Sequence, residues 1–208
     1  MMTTRLGRLA GLLLPALLLL AGCALPGKPP VAVSYHVLTD PGPVVRSGTT
    51  HPGTLLLREM EAPPFYQDTR LAFSRAAGTR GQYQYARWSE PVARRLGWML
   101  RQRLEAAGAF SVVAPLGSGV HGDFQLNTRL VDFYHDANQP PGVALMVLEA
   151  ELVRRADAGL AARQVFVAQV PVPTYDAAGA ADALGGAANR VMDELTVWLA
   201  RVGTAEAR

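Results

Sequence analysis

The sequence predicts an α+β fold: one mostly antiparallel sheet with two main helices packed on one face. Three observations lead there. Apolar residues recur at helical spacing in two stretches, from Val92 to Ala107 and from Leu184 to Val202. Several other segments alternate with period two and are separated by turns rich in Gly, Pro and Asp. Their order is several strands, a helix, four more strands and a helix, with no internal repeat.

The first 22 residues are expected to lie outside this fold. Arg5 and Arg8 form a basic start, and Leu9 to Leu20 is an apolar run of about a dozen residues, too short to span a bilayer. It ends in Leu20-Ala21-Gly22-Cys23, the pattern of a bacterial lipobox, in which the cysteine receives lipid before cleavage. Cys23 is the only cysteine, so once acylated it leaves no thiol for a disulfide or for catalysis. Taking 22 residues from 208 leaves 186, which suits one domain with a full core. The same cut removes Arg5 and Arg8 and lowers the formal charge from +3 to +1, so charge makes no case for nucleic acid. The non-protein groups expected are covalent: diacylglycerol and an N-acyl chain on Cys23. Each buried methylene of such chains is worth about 0.8 kcal/mol, which makes a durable anchor. Ala24 rather than Asp follows the cysteine, and in a Gram-negative envelope this goes with sorting to the outer membrane. The expected organisation is a cleaved signal peptide over 1–22, a lipidated tether over 23–32, one domain over 33–203 and a loose tail over 204–208.

Pro26, Gly27, Pro29 and Pro30 make the tether stiff and irregular. A first strand is expected from Val33 to Thr39, then a long proline- and glycine-rich loop to Gly53. Thr54 to Met60 reads as a strand covered on both faces, because Leu55, Leu56 and Leu57 are consecutive. Arg70 to Ser74 and Tyr83 to Arg87 read as a hairpin with Gly78 and Gly81 in its turn. Ser89 is the expected N-cap of the first helix, with Glu90 on its positive end and Pro91 in its first turn. Val92, Leu96, Met99, Leu100, Leu104 and Ala107 make its apolar stripe, Arg94, Arg95, Arg101 and Arg103 an outer basic face, and Gly108 its stop. Phe110 to Ala114, Asp123 to Tyr134, Val143 to Arg154 and Arg163 to Val170 follow as strands, the last three as an antiparallel meander. The final helix should start after Asp176 and stop at Gly203. Gly185-Gly186 inside it implies either close packing of that turn on the sheet or a division into two shorter helices.

No constellation for catalysis emerges, and the chain is expected not to be an enzyme. His36, His51, His121 and His135 have no second ligand at metal-binding spacing, so no metal is expected. Glu149 and Glu151 are two apart on one strand and read as a carboxylate pair or as a solvated face. Phosphate-binding glycine loops and nucleophile elbows are missing. The junction Tyr85-x-Arg87-Trp88 has two readings. An aromatic pair with an arginine can anchor a protein partner or a lipid headgroup. Alternatively, Trp88 caps the core and Arg87 stacks over it. Trp98 falls off the apolar stripe, between Arg94 and Arg101 in projection, and an exposed tryptophan among arginines points to an interface. Tyr85, Arg87, Trp88 and Trp98 are therefore the candidate partner-binding residues.

The lipobox, the strand Tyr35-His36-Val37-Leu38, the apolar strand running into Pro63-Pro64-Phe65-Tyr66, and Tyr85-Ala-Arg-Trp88-Ser-Glu-Pro91 opening a helix resemble the ABC-type transport auxiliary lipoproteins. The similarity runs from about Ser34 to Val202. It implies a non-enzymatic envelope subunit, anchored to the outer membrane through Cys23 and facing the periplasm. Its implied partners are an MCE-domain protein, a permease and an ATPase that together move lipid between the two membranes. A homo-oligomer would fit the same resemblance. The alternative is an envelope-assembly adaptor lipoprotein that binds a protein without handling lipid. The proline-rich loop over 40–53 and Gly97 inside the first helix depart from the family's pattern.

Overall fold

Thirteen residues, Phe124–Asp136, form the strand around which the sheet is built. In chain order the strands are β1 (Ser34–His36), β2 (His51–Leu57), β3 (Arg70–Ser74), β4 (Gly81–Trp88), β5 (Phe110–Pro115), β6 (Phe124–Asp136), β7 (Val143–Arg154) and β8 (Leu160–Pro171). The helices are α1 (Val92–Ala107) and α2 (Ala177–Glu206). The structure is a computed structural model and describes residues 31–39, 46, 48 and 50–206, with side chains up to residue 203. The signal peptide, Cys23, most of the tether and loop and the last two residues of the tail lie outside the described residues. The chain divides into units Met1–Ala32 and Val33–Arg208, and every element named here belongs to the second.

One side of β6 pairs along its whole length with β7, from Phe124↔Arg154 to Asp136↔Val143, and β7 pairs onward with β8; both pairings are antiparallel. On its other side β6 receives two strands in parallel. β2 meets its start (Leu55↔Phe124 to Leu57↔Leu126) and β3 its end (Phe73↔His135, Ser74↔Asp136). Between them Glu61 bridges to Arg129. β5 lies parallel on the far side of β2, β4 antiparallel on β3, and β1 parallel on β4. The sheet is thus mixed, which corrects the mostly antiparallel expectation. Short turns force neighbours to run antiparallel, as in the β6–β7–β8 meander. The β3–β4 hairpin is antiparallel for the same reason, whereas the parallel pairings join strands separated by long connections, α1 among them, which return the chain to the same end of the sheet. Residue periodicity reports which face a side chain takes and does not by itself set strand direction.

Burial follows the alternation. Ala144, Met146, Leu148, Ala150 and Leu152 of β7 face the core, with Phe166 and Ala168 of β8 beside them. Both helices cover this core: Leu96, Met99, Leu100 and Leu104 from α1, and Leu184, Ala187, Val191, Leu195 and Leu199 from α2, are all buried. The rings of Phe166 and Trp198 meet edge to face at 5.8 Å between sheet and α2. Leu55, Leu56 and Leu57 are all buried, as consecutive leucines on an interior strand should be.

Several local expectations change. β1 is three residues long because its partner β4 ends at Trp88, opposite His36. β2 begins at His51, whose N–H donates to Ala109 O at 2.8 Å. Gly78 sits in the hairpin turn at φ +72°, whereas Gly81 belongs to β4. Ser89 is not the cap of α1. The residue in that place is Pro91 (φ −54°, ψ 126°), and no side chain caps it. A proline disfavours helical geometry in the residue before it, here Glu90, so the helix cannot open with Ser89 as cap and Glu90 as its first residue. Gly108 ends the helix in the left-handed region (φ +66°), its N–H on Leu104 O.

Arg103 leaves the solvated face expected for it. Its side chain is fully buried and its guanidinium donates to the carboxylate of Asp193 on α2, with Nη1 also 3.4 Å from Asn189 O. The helix α2 starts on Asp176, whose Oδ1 accepts Gly179 N–H at 2.8 Å; that bond holds the carboxyl below the usual carboxylate range. It runs unbroken through Gly185-Gly186. A Cβ added to Gly186 would meet Val170 Cγ1 at 3.5 Å and one on Gly185 would meet Leu38 at 3.9 Å, ordinary contact distances. Neither a break nor an over-tight approach occurs there. Gly203 does not stop it either: the helix continues to Glu206, and the space Gly203 leaves is taken by His51 and Phe110, 3.4 and 3.5 Å from where its Cβ would be.

Candidate docking surface

Of the residues expected to meet a partner, Trp88 is in the core. It is 3% exposed, and its ring lies 5.9 Å from that of Phe133. The strand β4 alternates there, so Ala86 and Trp88 point inward and Tyr85 outward at 44% exposure. Arg87 folds back on its own strand: Nη1 donates to Tyr83 O at 2.6 Å and to Ala86 O at 2.8 Å. Its guanidinium is thus committed to the backbone, not stacked over Trp88. The sequence left unmarked the most exposed aromatic on this edge, Tyr35 at 68%, whose Cα pairs with that of Arg87. Val33 and Val37 flank it, also exposed, so the end strand of the sheet shows an apolar row. Alternation of Val33, Tyr35 and Val37 at period two was the available signal.

Trp98 lies on the outer side of α1 at 42% exposure. Arg95 holds its guanidinium 4.5 Å from the centre of that ring, its Nε donating to Leu38 O at 2.8 Å and Nη1 3.8 Å from Glu90. This cation over the indole restrains the ring while the residue stays 42% exposed. Trp98 shares a groove with Gly97, Arg94, Arg101, Met60 and Leu116, and Tyr85 lines a separate depression with His36 and Ala178. The junction and Trp98, weighed separately from sequence, lie on two separate surfaces.

Of the polar residues weighed for chemistry, His135 and Glu151 are held by neighbouring groups, while His36 Nε2 is buried without a hydrogen-bond partner among the described residues. His135 is wholly buried, with Nδ1 2.7 Å from Tyr83 Oη and Nε2 2.7 Å from Pro141 O. Burial, and then the neighbouring Tyr175, push the Tyr83 phenol up to about 12. Glu151 is ion-paired with Arg163, and Glu149 lies opposite Arg129 across the strands. Both line an open hollow of about 530 Å³ on the sheet. Among the described residues, no three His, Cys, Asp or Glu side chains are grouped to hold a metal ion, and no helix is long and apolar enough to cross a membrane.

Comparison with known proteins gives this geometry a family. The profile of the ABC-type transport auxiliary lipoprotein component matches residues 36–196. No curated protein matches the chain at a significant level. Among solved structures, protein XCC0632 from Xanthomonas campestris, of the DUF330 family, is 22% identical with a TM-score of 0.74, over 84% of this chain and 99% of that one. An uncharacterized protein is 14% identical with a TM-score of 0.60, over 82% and 97%. The hypothetical protein CT253 from Chlamydia trachomatis is 6% identical with a TM-score of 0.51, over 74% and 99%. These likenesses carry the fold. The profile match takes in α1, most of the buried stripe of α2, and the exposed Tyr85 and Trp98, and by it the chain belongs to the ABC-type transport auxiliary lipoprotein family.

Proposed function

We propose that this protein is an outer-membrane-anchored periplasmic lipoprotein serving as the accessory subunit of an MCE/ABC-type lipid transport system between the inner and outer membranes. The family match over residues 36–196 is the observation that carries the reading. The lipobox at Cys23 supplies the anchor, and Ala24 beside it favours the outer membrane. The subunit acts by docking, with Tyr85 and Trp98 presenting exposed aromatic area to protein partners. Arg87 and Trp88 then serve from behind, one bracing the strand and the other seating it on the core. Its only non-protein group is the lipid on Cys23, it performs no catalysis itself, and a ring of several copies around an MCE assembly is compatible with the role.

Crosslinking in intact cells followed by purification of the full chain from membranes tests the reading. The expected yield is an MCE-domain protein, together with permease or ATPase. Recovery of an outer-membrane assembly machine in their place would overturn it in favour of an adaptor that handles no lipid.

A further inference from the structure

On its outer side α1 forms one wall of a groove of about 330 Å³. The facing wall is the chain from Leu57 to Met60 with Pro115 and Leu116. Gly97 is the floor, since a Cβ placed there would lie 3.7 Å from Met60 Cβ; a larger side chain would project into the groove. Trp98 and Leu116 stand exposed at its rim. Three arginines, Arg58, Arg94 and Arg101, line it against one carboxylate, Glu59. Arg58 and Arg101 are loosely offset by Glu61 and Glu105, each at 3.7 Å, while Arg94 has no ion-pair partner among the described residues.

The walls state what would fill the groove. An indole face and an aliphatic rim gain by covering an apolar side chain. A cationic border whose exposed Arg94 has no ion-pair partner among the described residues gains by meeting carboxylates. A second depression of about 660 Å³ shares Arg58, Met60 and Arg94 with the groove and reaches Glu61, Gln67 and Pro91. Two adjoining hollows with shared walls suit a run of residues better than one headgroup. We propose that the α1 groove binds a short acidic segment of a protein partner, one apolar side chain resting on Trp98 above Gly97 and flanking carboxylates on Arg94 and Arg101. This rests on the docking role proposed above and adds the chemistry of the docked segment.

Trp98 provides the reporter, because the other two tryptophans, Trp88 and Trp198, are buried. The purified full chain is titrated with a peptide of Glu-Glu-Leu repeats, with its Lys-Lys-Leu counterpart and with phosphatidylglycerol vesicles, reading indole emission and acrylamide quenching. The acidic peptide is expected to shift the emission to the blue and shield it, and the basic peptide and the vesicles to do neither. Arg94→Glu combined with Arg101→Glu should weaken peptide binding by about tenfold or more. Gly97→Leu should abolish it, and Gly97→Ala, with its Cβ at ordinary contact distance, should keep the helix and retain binding. Should Gly97→Leu fail to fold by circular dichroism, the charge-reversed pair decides alone. A response to vesicles alone would make the groove a membrane patch and overturn the proposal. So would no response to the acidic peptide, or a response that the charge reversals leave unchanged. Failure of the docking role would look different: membrane crosslinking would yield no transporter component while peptide binding persisted.

Discussion

The two sides of helix α1 treat polarity in opposite ways. Its inner side hides Arg103, and its outer side displays Trp98. On an amphipathic helix the usual arrangement is the reverse. The inner exception is satisfied, because Arg103 meets a carboxylate and a carbonyl on α2 and so ties the helices together at one height. The outer exception is not satisfied: Arg95 lies over the indole, yet the residue stays exposed. A polar group inside a core must be answered within the chain. An apolar group outside it can wait for an answer from another molecule. That contrast separates residues that hold the fold from residues that await a partner.

The largest effect should come from Trp88→Ala. It removes a buried ring packed on Phe133, and urea unfolding should register a loss of about 3–5 kcal/mol. Asp193→Ala comes next, at about 2–4 kcal/mol, because the guanidinium stays buried without its carboxylate. Arg103→Met sharpens the comparison. Asp193 is 39% exposed and regains water, so this variant should lose less than Asp193→Ala in the same assay. Equal losses would mean that the pair is not asymmetric as described.

The third effect is confined to alkaline solution. Tyr83 titrates near 12 in the folded chain against 10.0 as its ordinary value, so the folded state holds the proton more tightly. Its contribution is complete below pH 10 and drains away as the pH climbs toward 12. Thermal melts across that window should fall more steeply for the native chain than for Tyr83→Phe. Smallest of all, Trp98→Ala should cost about 0.5 kcal/mol or less. A loss near that of Trp88→Ala would place Trp98 among the residues that hold the fold.

Much of this contrast was legible beforehand. The α1 stripe, the Gly108 stop and the limits of β7 follow from spacing and turn chemistry alone. Trp98 was readable as exposed because it falls off the stripe. Arg103 was readable too, in principle: it lies seven residues after Leu96, on the stripe, and its basic side chain masked the position. Parallel direction was legible only at β2, whose consecutive leucines are the pattern of a parallel strand covered on both faces; the short β1 and β3 carry no such run. The groove at Gly97 was also hidden. Its walls come from Met60, Gly97 and Leu116, which only the parallel β2–β5 pairing brings together. Ser89 misled because Pro91, two residues on, keeps Glu90 out of helical geometry and moves the helix start to Val92.

We infer that lipid on Cys23 holds the domain at a membrane, where it works as a docking piece. Mass spectrometry of the N-terminal peptide from fractionated cells, after growth with labelled palmitate, measures this directly. The expected result is a triacylated Cys23 at the N-terminus, found in the outer membrane, with label and anchoring lost in Cys23→Ser. An unacylated N-terminus free in the periplasm would contradict it.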